Sequence, residues 1–173
     1  MICRDAMGTI ERKAKGFPVV AITGPHQSGK TTLAKLAFPD KPFVSFDDEQ
    51  MRAVATENPQ DFLLAFPDGC IIDEVQRVPK IFNAVKYYVD KAPSTMGLYI
   101  LTGSNQFNLK RGITESLAGR LAYIHLLPFS VGELSSAGVL VDDPFRVMVK
   151  GQYPPLYDRD VDPQDWYQAY IET

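Results

Sequence analysis

Residues 24–31 read Gly-Pro-His-Gln-Ser-Gly-Lys-Thr, and they follow directly on the apolar, β-branched run Phe17–Thr23. This stretch fits G-x-x-x-x-G-K-[ST] between a strand and a helix, the context in which the pattern has a mechanism. Gly24 and Gly29 let the backbone curl so that successive N–H groups point inward at an anion. A helix opening at that point adds partial positive charge. Lys30 is placed to reach the outer phosphates of a nucleotide, and Thr31 to offer its hydroxyl to Mg²⁺. The expected nucleotide-binding residues are Gly24, Pro25, His26, Gln27, Ser28, Gly29, Lys30, Thr31 and Thr32. His26 and Ser28 occupy variable positions of the loop, and solvent exposure is the ordinary fate of such residues.

A phosphate loop constrains the fold, because it sits between a strand and a crossover helix. Four more short apolar runs meet that requirement: Pro42–Phe46, Gly69–Asp73, Gly97–Thr102 and Leu121–Leu127. Runs apolar on both faces belong to a parallel sheet covered by helices. Helices are expected from Ser28 to Ala37, after Asn58 as a cap with Pro59 in the first turn, from Pro79 to Lys91, over Thr114–Gly119, and after a capping box at Ser130-Val-Gly-Glu133. The fold class is α/β, a three-layer α/β/α sandwich. From Val139 to Asp165 the chain is rich in Asp and Pro and reads as an irregular connector, with a helix starting at Trp166.

The second chemical signal is Asp73-Glu74 at the end of an apolar strand. Asp73 is placed to hold the Mg²⁺ shell, and Glu74 to polarise an attacking water. Thr102-Gly-Ser-Asn105 closes another strand with polar groups. Ser104 is the first choice for positioning that water, with Thr102 and Asn105 behind it. Arg120 precedes the fifth strand, where it can project from the domain edge toward a neighbour's nucleotide as a finger; that role requires a homo-oligomer. Asp47-Asp48-Glu49 reads as the acidic start of a helix.

Of the 173 residues, 45% are hydrophobic and the net charge is −3, a balance that excludes disorder and gives no general nucleic-acid surface. Two cysteines and two histidines are too few and too scattered for a zinc site. No run reaches membrane-span length, and the charged N-terminus does not resemble a signal peptide. The expectation is a cytoplasmic protein with no membrane partner. A GTPase lacks support, since there is no N-K-x-D base-reading motif and no D-x-x-G after the third strand. A kinase lacks an arginine-rich lid. An ATPase and a nucleotide-gated binding module without significant hydrolysis remain as readings.

The set G-P-H-Q-S-G-K-T-T-L, F-V-S-F-D-D, I-I-D-E-V-Q-R-V-P-K-I-F, I-L-T-G-S-N and E-S-L-A-G-R-L…L-L-P-F-S-V-G-E-L resembles the prokaryotic AAA+-type P-loop ATPases that carry a separate C-terminal domain. The resemblance runs over about residues 1–135. It implies a five-stranded parallel sheet of order 5-1-4-3-2. By position it carries phosphate binding to residues 24–32, metal binding to Thr31 and Asp73, and catalysis to Glu74, Ser104 and Arg120. The family usually has arginine where His26 stands and a hydrophobic residue where Ser28 stands. It further implies that residues 136–173 are a connector and the start of a truncated helical lid, and that the chain is an N-terminal fragment whose partner is its own C-terminal domain. A lid arginine is not assignable, with Arg146 and Arg159 as candidates by default. ATP and Mg²⁺ are the cofactors implied.

Overall fold

The computed structural model describes residues 2–104, 117–139 and 144–172. The sheet contains β1 (Val19–Thr23), β2 (Phe43–Ser45), β3 (Ile71–Asp73), β4 (Tyr99–Gly103) and β5 (Leu121–His125). Its order is β2-β3-β4-β1-β5, and every pairing is parallel. This is the expected 5-1-4-3-2 order read from the other edge.

Alternate residues of the central strands feed two separate cores. Val19, Ala21, Ile72, Tyr99 and Leu101 pack on one face against α3 (Glu49–Glu57), α4 (Pro59–Leu64) and α5 (Ile81–Lys91). Val20, Ile22, Ile71, Ile100 and Ile124 pack on the other against α1 (Ala6–Gly16) and α2 (Lys30–Ala37). A period of two with both faces covered makes the strands continuously apolar and builds the three layers.

Local chemistry sets most helix ends. Asp48 caps α3 by accepting from the Gln50 and Met51 N–H groups, and Asn58 caps α4 with Pro59 in the first turn. The capping box at Ser130 and Glu133 starts α6 (Val131–Ser136). Of the helix expected over Thr114–Gly119, residues 114–116 lie outside the described residues, and residues 117–119 are not helical, with a turn at 118–120.

The reading of Val139–Asp165 as an irregular connector is corrected. Three helices occupy its span and beyond, α7 (Pro144–Lys150), α8 (Pro155–Asp158) and α9 (Pro163–Glu172). Each begins at a proline, which suits a first helical turn. The first two are too short to show a period. Tyr153, between those two helices, packs on Trp166 of α9 at 5.0 Å and on Tyr170 of α9 at 5.0 Å. Helix α1 carries Met7, Ile10 and Ala14 at helical spacing, with Ile10 and Ala14 buried, a signal that the charged N-terminal composition concealed. Among the described residues, no helix is long and apolar enough to cross a membrane.

Candidate active site

All five strands run the same way, so their C-terminal ends share one edge of the sheet, and the expected site residues other than Arg120 and Asn105 gather there. Residues 24–29 bridge β1 and α2. At Gly24, φ is 152°, and a Cβ would stand 2.0 Å from the Leu126 carbonyl oxygen. At Gly29, φ is 90°. Gln27 also adopts a left-handed conformation. Pro25 accepts a hydrogen bond from Lys30 Nζ at 2.7 Å. His26 and Gln27 are exposed. The His26 carbonyl receives the Tyr170 hydroxyl of α9 at 3.5 Å, so the C-terminal segment lies over the loop.

Lys30 is buried, and burial pulls its ammonium below the ordinary lysine range against the opposing carboxylates of Glu74 and Asp73. A lysine desolvated between two acids is set to receive further negative charge. Thr31 donates to Asp73 Oδ1 at 2.8 Å, and Thr102 donates to the same oxygen. The register places Leu101 beside Ile72, which brings Thr102 next to Asp73. Asp73 is buried and Thr102 fully so. A hydroxyl and a carboxylate in contact are hard oxygen donors of the kind Mg²⁺ takes together with phosphate oxygens. Among the described residues, no group of three or more His, Cys, Asp or Glu could hold a metal alone. The donor set therefore suits a cation shared with a bound phosphate.

Glu74 leaves β3 in the left-handed region, at φ 51° and ψ 43°. Its Oε2 accepts from Ser104 Oγ at 3.1 Å and from Gln76 Nε2. Gln76 also lies 3.5 Å from Ser104. Glu74 and Ser104 are thus brought together, as expected, and Gln76 joins them unforeseen. Its only sequence signal was its place two residues beyond Glu74. Asn105 lies outside the described residues. Asp47 pairs with Arg77 at 2.8 Å, and Asp48 serves as the α3 cap.

Arg120 is elsewhere. Its carbonyl accepts from Val19 N–H at the start of β1, at the opposite end of the sheet, about 15 Å from the loop at ~3.3 Å per strand residue. Its guanidinium pairs with Asp90 at the surface. Arg146 is exposed on α7, and Arg159 is exposed just after α8. Beside the end of the loop is a cleft lined by Ile2, Thr32, Leu36, Pro154 and Asp158. The Ser28 hydroxyl, in place of the solvent exposure expected for it, is fully buried and has no hydrogen-bond partner among the described residues.

A family model described as "AAA domain" matches residues 16–135. The chain belongs to this family of AAA-type P-loop ATPase domains. Two uncharacterized proteins, from Mycobacterium bovis and Mycobacterium tuberculosis, are each 32% identical over 173 residues. The match covers 98% of this chain but 38% of those proteins, so the chain spans well under half the length of the curated relatives it matches. Among solved structures, the Walker-type ATPase of Pyrococcus abyssi superposes with a TM-score of 0.63 at 17% identity, over 99% of this chain and 72% of that one. AMPPCP-bound DnaA of Aquifex aeolicus superposes at 0.59 and 14% identity, over 91% and 61%. These two likenesses concern the fold of the AAA-type domain.

Proposed function

We propose that this AAA-type domain binds ATP with Mg²⁺ and hydrolyses it, and that hydrolysis drives a conformational change in an attached or bound partner. The observation that carries the reading is the convergence of three sets on one sheet edge: Lys30 beside the loop, Thr31 on Asp73, and Glu74 with Ser104 and Gln76. The loop amides and Lys30 bind the phosphates. Thr31 and Asp73 hold Mg²⁺, which neutralises charge on the phosphate oxygens. Glu74 accepts the proton of the attacking water, and Ser104 and Gln76 fix the carboxylate that does so. The cleft beside Thr32 receives the base, where the Asp158 carboxylate is an acceptor for an exocyclic amine.

Arg120 serves a neighbouring subunit in this reading. It faces away from its own loop, so a finger role needs self-association, and the guanidinium must first leave Asp90. Residues 136–173 form the beginning of a lid, with Tyr170 already on the loop. A longer parent protein supplies the remainder, in keeping with the length of the mycobacterial relatives.

One observation favours a second reading, a nucleotide-gated module that turns over very slowly alone. Lys30, Thr31, Asp73 and Glu74 are all engaged within the domain: Lys30 with the Pro25 carbonyl, Asp73 with Thr31 and Thr102, and Glu74 with Gln76 and Ser104. Hydrolysis then waits on a partner to release these contacts. Phosphate release measured with and without the parent's remaining segment separates the two readings.

Calorimetry with Mg-ATP on the wild type and Lys30→Ala tests the central claim. A large loss of affinity is expected from removing a charge-assisted phosphate contact. Equal affinities would overturn the phosphate-loop assignment. Competition by other nucleobases establishes the preference for adenine.

A further inference from the structure

Arg4 lies 24 residues before Ser28, yet its Nη1 donates to the Ser28 carbonyl of the loop at 2.8 Å. Its side chain is only 9% exposed. We infer that Arg4 is a positioning residue for nucleotide binding, holding the Ser28–Gly29 peptide so that the Gly29 N–H faces the interior of the phosphate loop. The inference rests on the ATP-binding reading and extends it to a residue outside the motif.

The physical reason lies in the peptide group. The Ser28–Gly29 bond is trans, since the described chain has no cis peptide. In a planar trans peptide the C=O and N–H point in opposite directions. A donor that pins the carbonyl outward therefore aims the following amide inward. Gly29, at φ 90°, has no side chain to resist other orientations, so the loop's own covalent structure leaves this peptide free to rotate. Arg4 removes that freedom.

The rest of the guanidinium is committed to scaffold. Nε donates to Glu133 Oε1 at 3.0 Å, Nη2 donates to the Leu127 and Pro128 carbonyls, and the planar face lies 4.9 Å from the centre of the Phe129 ring. Glu133 is itself fixed, accepting from the Asp5 N–H at 2.7 Å and from the Ser130 N–H at 2.8 Å. Arg4 is thus neutralised and held by a rigid carboxylate. Four of its five N–H groups are engaged with protein, which leaves the guanidinium fixed to the scaffold rather than free to swing onto a phosphate. Only a planar fork addresses the loop, two carbonyls and a carboxylate at once, and lysine cannot. The other end of the loop refers to the same strip of backbone, because Gly24 sits against the Leu126 carbonyl. Both ends of the cradle are registered to residues 126–128.

The test uses the full chain and four variants: Arg4→Lys, Arg4→Met, Glu133→Gln and Lys30→Ala. Arg4→Lys keeps charge and bulk, which guards against collapse of the fold if Arg4→Met does not fold. Mg-ATP affinity is read by calorimetry. Amide hydrogen exchange of residues 27–31 is read without nucleotide. Arg4→Lys is expected to bind Mg-ATP at least ~10-fold more weakly, the scale of one charge-assisted hydrogen bond, and to exchange faster in the loop while its remaining amides stay protected. Glu133→Gln retains the Arg4–Ser28 contact, so it should lower the melting temperature yet hold affinity within about threefold. Wild-type affinity and unchanged loop exchange in Arg4→Lys would overturn the inference. So would an affinity loss in Arg4→Lys without faster exchange in residues 27–31, which would mark a role other than positioning the loop. Failure of the ATP-binding reading appears differently, as equal affinities in wild type and Lys30→Ala.

Discussion

Replacing Gly24 by alanine tests the geometry of the loop more severely than replacing any of its side chains. Two costs follow from the coordinates. An L-residue at φ 152° sits in a half of backbone space that disfavours a Cβ, at about 1–2 kcal/mol. The added methyl would also stand 2.0 Å from the Leu126 carbonyl oxygen. That oxygen belongs to backbone anchored by the Leu126 N–H donating to Thr23 at 2.7 Å. It cannot swing aside like a side chain, and forced repacking of this kind costs about 1–3 kcal/mol. The sum is about 2–5 kcal/mol, a large share of the ~5–15 kcal/mol that holds a domain folded. Gly119 provides the control: its φ is 75°, and among the described residues a Cβ there meets nothing within 4 Å. Gly119→Ala should therefore cost only about 1 kcal/mol. Urea denaturation of both variants, with the slope checked for constancy, measures the difference. If the two destabilisations agree within ~1 kcal/mol, the close approach of residues 24 and 126 is not what requires glycine at the head of the loop.

Glu74→Gln should bind Mg-ATP like the wild type but turn over at least ~10²-fold more slowly, the scale of a positioned base; single-turnover phosphate release measures it, and an undiminished rate removes Glu74 from the chemistry. Arg120→Ala breaks only a surface pair with Asp90, worth about 0–1 kcal/mol, so melting should barely change while turnover falls about 10³-fold or more if Arg120 is a finger. Mixing Arg120→Ala with Lys30→Ala should then restore part of the activity, and a strictly monomeric, fully active protein would sink the idea. Burial pushes the Cys70 thiol up to about 12 from 9.0, so the unfolded chain loses that proton first. The stability contributed by the neutral thiol is complete below pH 9 and declines from there to about pH 12. Cys70→Ala should accordingly flatten the alkaline fall in urea stability relative to wild type, whereas parallel curves would refute the assignment.

The site was legible in part because some of its chemistry is encoded locally. A tight anion cradle needs glycines, a lysine and a hydroxyl at fixed offsets within one turn and one helix start, so Gly24 through Thr32 stand out in the sequence. Asp73 and Glu74 stood out because acids end an otherwise apolar strand. Ser104 was nameable once strand four was placed between strands one and three. Gln76 was passed over, since a glutamine in a short 3-10 turn has no periodicity, and only the left-handed turn at Glu74 brings its amide back to the carboxylate. The two short helices between residues 144 and 158 were missed because they span too few residues to show a repeat, whereas the helix containing Trp166 was expected.

The sequence by itself determined the strands, the loop, the caps at Asn58 and Ser130 and the acidic start of the helix at Asp48, and it named the residues proposed to meet phosphate and metal. All depend on interactions spanning a few residues or on alternation along one strand. The tertiary structure decided the arrangements that depend on separations of tens of residues or more. It set Arg4 on the carbonyl of Ser28 and on Glu133, 129 positions away, wedged Gly24 against Leu126, and placed Arg120 at the far end of the sheet with Asp90. A hydrogen bond between distant segments leaves no spacing to read, because its geometry exists only after the parallel sheet has brought the ends of β1, β3, β4 and β5 to a common edge.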